Sequence, residues 1–162
     1  MTQLRPLPPE SFPTLLDTVV VSYANDNVAS GRWLAGEALE MAKAETAALL
    51  PQGPDTPNQQ LFEIEDESTG QAVGFLWFST VRRGSQATAY LYQLIVLPEY
   101  RRRGHAKSAL RRAAEIAASQ GHARIELHVF GHNVIAQSLY RALGYEVTSM
   151  NMAVSLPSVA IR

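Results

Sequence analysis

The 162-residue chain has no cysteine. That excludes a disulfide framework, a thiolate metal site and a cysteine nucleophile. No apolar run approaches the roughly 20 residues that a membrane-spanning helix needs, and residues 1–13 lack the basic start and greasy centre of a secretory leader. No membrane partner is therefore expected, and the cytoplasm is the expected compartment. Nor is there an excess of one charge: 14 Lys and Arg face 15 Asp and Glu, a net −1, which argues against general nucleic-acid affinity. Aromatic residues make up only 8% of a chain that is 46% hydrophobic and 18% charged, a composition suited to one soluble, packed domain over residues 1–162.

One positive feature stands out against this even background. Arg101, Arg102, Arg103, Lys107, Arg111 and Arg112 place six cations in twelve positions with no acid among them. They follow an apolar run, Ala89 to Leu97, that Pro98 ends. They lead into a helical stripe of Ala106, Ala109, Leu110, Ala113 and Ala117, closed by Gly121. A strand that turns through basic residues and Gly104 into a helix suits phosphate. The first helical N–H groups lack partners, the helix dipole is positive there, and a glycine lets backbone approach a ligand. A solvated charge run with a turning glycine reads equally well from these residues alone.

Upstream, Phe12, Leu15, Leu16, Val19, Val20 and Tyr23 predict a first helix ending at Asn25-Asp26-Asn27, and Trp33 to Leu50 a second. Both helices precede any predicted strand. The proline-bearing residues 51–60 read as a loop long enough to fold over a site. From Gln60 the apolar period becomes two, predicting a hairpin through Ser68-Thr69-Gly70 into a partner strand from Ala72 to Val81. Downstream, a strand from Arg124 to Phe130, a helix from Asn133 to Leu143 and a closing strand from Tyr145 to Leu156 complete a mixed α/β order.

Arg101-x-x-Gly104-x-Ala106, after Leu94-Ile95-Val96-Leu97-Pro98-Glu99-Tyr100, resembles the Q/R-x-x-G-x-G/A signature of the GNAT acetyltransferases. Leu127-His128-Val129, followed by Asn133, Ala136, Leu139-Tyr140 and Leu143-Gly144-Tyr145, is similar to that family's second segment. The likeness covers about residues 90–146 and leaves the first 60 without a signature. It implies an α/β (α+β) fold: a mixed central sheet of about six to seven strands flanked by helices, with a splayed parallel strand pair at the cofactor site.

The resemblance also implies acetyl transfer from acetyl-CoA, without a metal, to a primary amine on a small molecule or peptide. Backbone around Ile95, Val96 and Leu97 would serve the pantetheine arm. The amides of Arg102, Arg103, Gly104, His105, Ala106 and Lys107, next to Arg101, would wrap the pyrophosphate. Tyr140 takes the place of a tyrosine that protonates the departing thiolate. An ordinary phenol, of pKa about 10, can do this, though it also suits a helix core position. Asn133 is a natural helix N-cap and, on the resemblance, also a pantetheine contact.

For the amine proton, His128 and Glu126, two apart on one strand, are the candidates; a lone strand histidine is more often a structural hydrogen-bonder. Acceptor contacts are expected near Trp33, the 51–60 loop and the Glu126/His128 face. A metal reading of His122, His128 and His132 lacks a recognisable ligand spacing, and no Gly-x-Ser-x-Gly elbow marks a hydrolase. A non-catalytic acyl-CoA sensor is the alternative reading of the same cofactor site. The terminal strand around Met150 to Leu156 offers an edge for a homodimer.

Overall fold

A computed structural model describes residues 1–158. Its order is β1 (Thr2–Pro6), α1 (Phe12–Ala29), α2 (Ala38–Leu49), β2 (Gln59–Asp66), β3 (Gln71–Arg83), β4 (Gln86–Val96), α3 (His105–Ser119), β5 (Arg124–Leu127) and α4 (Val134–Ala142). The strands form one sheet in the order β1-β2-β3-β4-β5, antiparallel except for the parallel β4–β5 pair. One face carries Phe62, Ile64, Leu76, Phe78 and Leu91 against Leu110 and the alanines of α3. The other carries Leu61, Phe75 and Trp77 against Leu15 and Val19 of α1. Helices on both faces of a mixed sheet are the expected fold class.

The strand number differs from the expected six to seven. Five are present among the described residues; against the five strands read individually along the chain, one is gained and one is lost. β1 was not expected, because its Thr-Gln-Leu-Arg-Pro carries little β propensity; an edge strand needs only one row of pairings, here with β2, and tolerates a terminal proline. The expected closing strand from Tyr145 to Leu156 does not form. Residues 146–158 are exposed and belong to no element, and β5 stops at Leu127 instead of reaching Phe130.

Helix boundaries also moved under tertiary influence. α1 runs through Asn25-Asp26-Asn27 because Asn27 is fully buried. Its side chain donates to the Tyr23 carbonyl at 2.8 Å, and its own carbonyl accepts from the amides of Arg32 and Trp33. Those bonds hold residues 31–33 in a turn, so α2 begins at Ala38 rather than Trp33. The 51–60 segment closes on itself. Thr56 Oγ1 accepts from the Gln52 amide and donates to the Gly53 carbonyl, compacting the loop, and β2 already begins at Gln59.

Candidate active site

The parallel pair opens the site. β4 and β5 pair from Thr88↔Arg124 to Leu91↔Leu127 and no further, while β4 continues to Val96. At that point the β3–β4 register slips: Trp77 faces Gln93 and Phe78 faces Leu91, leaving Tyr92 as a bulge. A bulge bends its strand and sharpens the twist, so β4 leaves β5 there. The resulting gap belongs to a cleft of ≈1230 Å³ between the sheet, α1, α2 and α4. Its lining includes Leu94, Val96, Arg101, His128 and Tyr140.

Hydrogen-bond alternation decides which β4 backbone groups face the gap. The Leu97 amide donates to the Val73 carbonyl at 2.9 Å, so Leu97 and, two residues back, Ile95 turn their backbone toward β3. A Cβ on Gly74 would lie 2.0 Å from the Ile95 carbonyl oxygen, which shows that carbonyl aimed at β3 and explains the glycine. Leu94 and Val96 therefore present their amides and carbonyls to the cleft. Of the three residues expected for the pantetheine, Val96 alone keeps that orientation, and Leu94 joins it. The sequence could not separate them, because the bulge sets the phase.

Past Val96 the chain makes a turn built of unusual backbone. Arg102 has φ 64° and Gly104 φ 86°, and Gly104 is the N-cap of α3. Left-handed residues alternating with ordinary ones turn successive N–H groups inward, a concave anion site, on top of a 15-residue helix's own free amides. A non-glycine residue at positive φ costs about 1–3 kcal/mol, which makes Arg102 a place where the backbone keeps a strained shape.

The arginine side chains then divide. Arg101 donates through Nε to the Val96 carbonyl at 3.0 Å, Arg102 lines the cleft, and Arg103 lies over the Tyr100 ring at 5.7 Å, outside the lining. His105 contributes its backbone only. Its ring is buried on the other side, where Nδ1 bonds Thr2 Oγ1 at 2.9 Å. That anchors the turn to β1. Ala106 and Lys107 complete the lining.

The opposite wall comes from the end of β5 and from α4. Asn133 Oδ1 accepts the Ala136 amide at 3.1 Å, so the side chain caps α4 while also bordering the cleft. Tyr140 packs its ring against Tyr145 at 5.5 Å, and its hydroxyl is pushed up to about 12, first by burial and then by the neighbouring Tyr145. Such a phenol stays protonated at physiological pH and keeps a proton to donate.

His128 is exposed on the cleft surface, its ring edge-on to Phe130 at 4.9 Å. Glu126 is not brought to the cleft. Arg83 binds it at 3.1 Å through both Nε and a terminal nitrogen, and Arg124 approaches to 3.5 Å, so its carboxylate is committed to ion pairs.

Of the expected acceptor contacts, only His128 lines the cleft. Trp33 is buried behind Tyr23, edge-on at 5.3 Å. Instead, α1 and α2 supply Tyr23, Asp26 and Glu45, with Tyr90 and the stacked Trp77–Tyr92 pair from the sheet. Tyr23 donates to Glu45 Oε2 at 2.5 Å, and burial together with this carboxylate raises its pKa. No sequence motif marks these residues, since they meet only when α1 and α2 cross over β4. His122 bonds Thr80 and the Ala117 carbonyl and is structural. Among the described residues, no three potential metal ligands cluster, and no helix is long and apolar enough to cross a membrane.

Comparison with known proteins agrees with this geometry. A family model described as "Acetyltransferase (GNAT) family" matches residues 30–145. The uncharacterized N-acetyltransferase YycN of Bacillus subtilis is 33% identical over 94% of this chain and 97% of its own length; the uncharacterized N-acetyltransferase YdgE of the same organism is 31% identical, over 92% and 94%. The crystal structure of YycN superposes with a TM-score of 0.91, covering 98% of this chain and 100% of that one at 32% identity. A GCN5-related N-acetyltransferase from Ralstonia eutropha shares the fold at TM-score 0.70, 20% identity and coverage of 95% and 99%. With a family model spanning the turn, the splayed strands and α4, the chain belongs to the GNAT acetyltransferase family.

Proposed function

We propose that the protein transfers an acetyl group from acetyl-CoA to a primary amine by direct attack in a ternary complex. The observation that carries this reading is the turn at Arg102 and Gly104, whose left-handed backbone opens the start of α3 onto the same cleft as Tyr140. The amides from Arg102 to Lys107 hold the pyrophosphate, with Arg101 and Arg102 adding charge. The backbone edge of Leu94 and the amide of Val96, whose carbonyl is taken by Arg101, hold the pantetheine. The amine nitrogen attacks the thioester carbonyl carbon; the C–N bond forms, the C–S bond breaks, and Tyr140 gives its proton to the departing sulfur. His128, exposed beside the gap, takes the proton that the new amide nitrogen sheds. The acceptor enters between Tyr23, Glu45 and the Trp77–Tyr92 stack, where a carboxylate and aromatic faces suit a cationic amine, which releases one proton to solvent before its neutral form attacks.

Incubating the protein with acetyl-CoA and a panel of amines, and following free thiol, tests the reading. Turnover with at least one amine is expected, with a pH limb that flattens in His128→Gln. Thermal stabilisation by CoA without thiol release from any amine would leave the acyl-CoA sensor as the correct description.

A further inference from the structure

The turn before α3 keeps a strained shape on an almost bare surface. Arg101, Arg102, Arg103 and Gly104 are all exposed, and a Cβ built on Gly104 would meet nothing within 4 Å. Among the described residues, no side chain caps α3. A positive φ at Arg102 persists only where the surroundings enforce it. Of residues 101–107, His105 alone is buried, at 6% exposure, with its amide opening the helix and its ring lying behind the turn.

That ring sits in a chain of polar groups. The hydroxyl and amide of Ser68 donate to Asp66 Oδ1 at 2.7 and 2.9 Å, and they hold its carboxyl below the usual carboxylate range. The other oxygen, Oδ2, faces His105 Nε2 at 3.9 Å; among the described residues that buried nitrogen has no hydrogen bond. An ionised carboxylate opposite Nε2 favours the proton on that nitrogen, which leaves Nδ1 bare to accept the Thr2 hydroxyl at 2.9 Å. Thr2 is itself buried and pairs with Asp66 across the β1–β2 ladder.

The carboxylate thus sets the tautomer, and the tautomer lets the first residue of α3 bond an edge strand 103 residues away in sequence. Thr2 does not line the cleft, so this bond can act on a ligand only through the turn. A shift of the His105 amide displaces its neighbours, because the alternating left-handed residues hold their N–H groups as one concave set.

We propose that His105 is a positioning residue for the cofactor: its ring, bonded to Thr2, holds the turn from Arg102 to Gly104 in the shape that binds the pyrophosphate. This rests on the proposed acetyl-CoA site and adds to it a side chain that never touches the ligand.

Calorimetric titration of CoA into the full chain, with kinetics on two thioesters, tests the anchor. Thr2→Val keeps the shape of the side chain and removes the hydroxyl. It should weaken CoA binding roughly fivefold, the worth of one neutral buried hydrogen bond, and raise the KM for acetyl-CoA with kcat unchanged. Acetyl-pantetheine, the same thioester without the phosphates, should change in kcat/KM by less than about twofold. Thr2→Ser should restore CoA affinity. His105→Phe, which fills the ring's space without Nδ1, should match Thr2→Val and add nothing to it in the double variant. Should His105→Phe not fold, the two Thr2 variants decide the matter alone.

CoA affinity unchanged in Thr2→Val, a loss shared equally by acetyl-pantetheine, or additive losses in the double variant would overturn the proposal. A wild-type chain that binds CoA but turns over no thioester would refute acetyl transfer alone, with the Thr2 series in CoA binding still deciding the anchor. A wild-type chain that binds no CoA would overturn both.

Discussion

The two walls of the cleft are built in opposite ways. α3 buries His105, Ala109, Leu110, Ala113 and Ala117 against the sheet, and its first turn is tied to β1 through Thr2. α4 is about as amphipathic, yet only Leu139, Tyr140 and Leu143 lean on the same core, and none is fully buried. The wall proposed to hold the cofactor's phosphates is thus rigid by packing. The wall that carries Tyr140, the proposed proton donor, is held by the Asn133 cap and two tyrosine rings. Fixed dipoles bind charge best when they do not move.

The largest effect should come from paired truncations that test this asymmetry. Leu110→Ala in α3 should cost about 3 kcal/mol of stability, the usual price of a leucine-sized core cavity, while Leu139→Ala in α4 should cost about 1 kcal/mol, because its site is part-solvated. Chemical denaturation of the two variants checks it; equal losses would mean that α4 is as firmly packed as α3.

Next in size, Tyr140→Phe should lower kcat roughly a hundredfold with the KM for acetyl-CoA unchanged, since the ring still fills its place and only the donated proton is lost. Turnover close to that of the wild type would remove the acid role. A raised KM would make Tyr140 part of the binding wall instead.

The smallest effect is alkaline. Tyr140 has a folded pKa of about 12, above its unfolded value of 10, and Tyr145 is raised as well by burial. A raised pKa means stability that is complete below pH 10 and is lost as pH climbs from 10 through 12. For a part-exposed phenol this amounts to about 1 kcal/mol. Tyr140→Phe should flatten that slope in denaturation midpoints measured across the range; an unaltered slope would place the alkaline sensitivity in Tyr23 and Tyr90, whose pKa values are also raised.

Much of this site was legible in the chain. The basic turn, Gly104 and the helix after it announce themselves because they are contiguous residues, as the proposed backbone site for phosphate requires, and Asn133 is legible for the same reason as a local cap. Glu126 misled because strand periodicity gives a face and not a partner: Arg83 lies 43 residues away and captures the carboxylate. Trp33 misled similarly, its ring taken by Tyr23. Tyr23, Glu45 and Tyr92 carried no signal, since they are scattered over α1, α2 and β4.

The sequence by itself determined the local items: the basic glycine turn that leads into α3, the Asn133 cap of α4, and the alternating apolar pattern of the tail. Tertiary structure decided what depends on distant pairing. The bulge at Tyr92 chose Leu94 and Val96 over Ile95 and Leu97, β1 earned its place from β2, and the tail found no partner in its own sheet. Backbone conformation responds to neighbours along the chain, whereas the direction of a hydrogen bond or the fate of an apolar face is settled by whatever folding brings alongside.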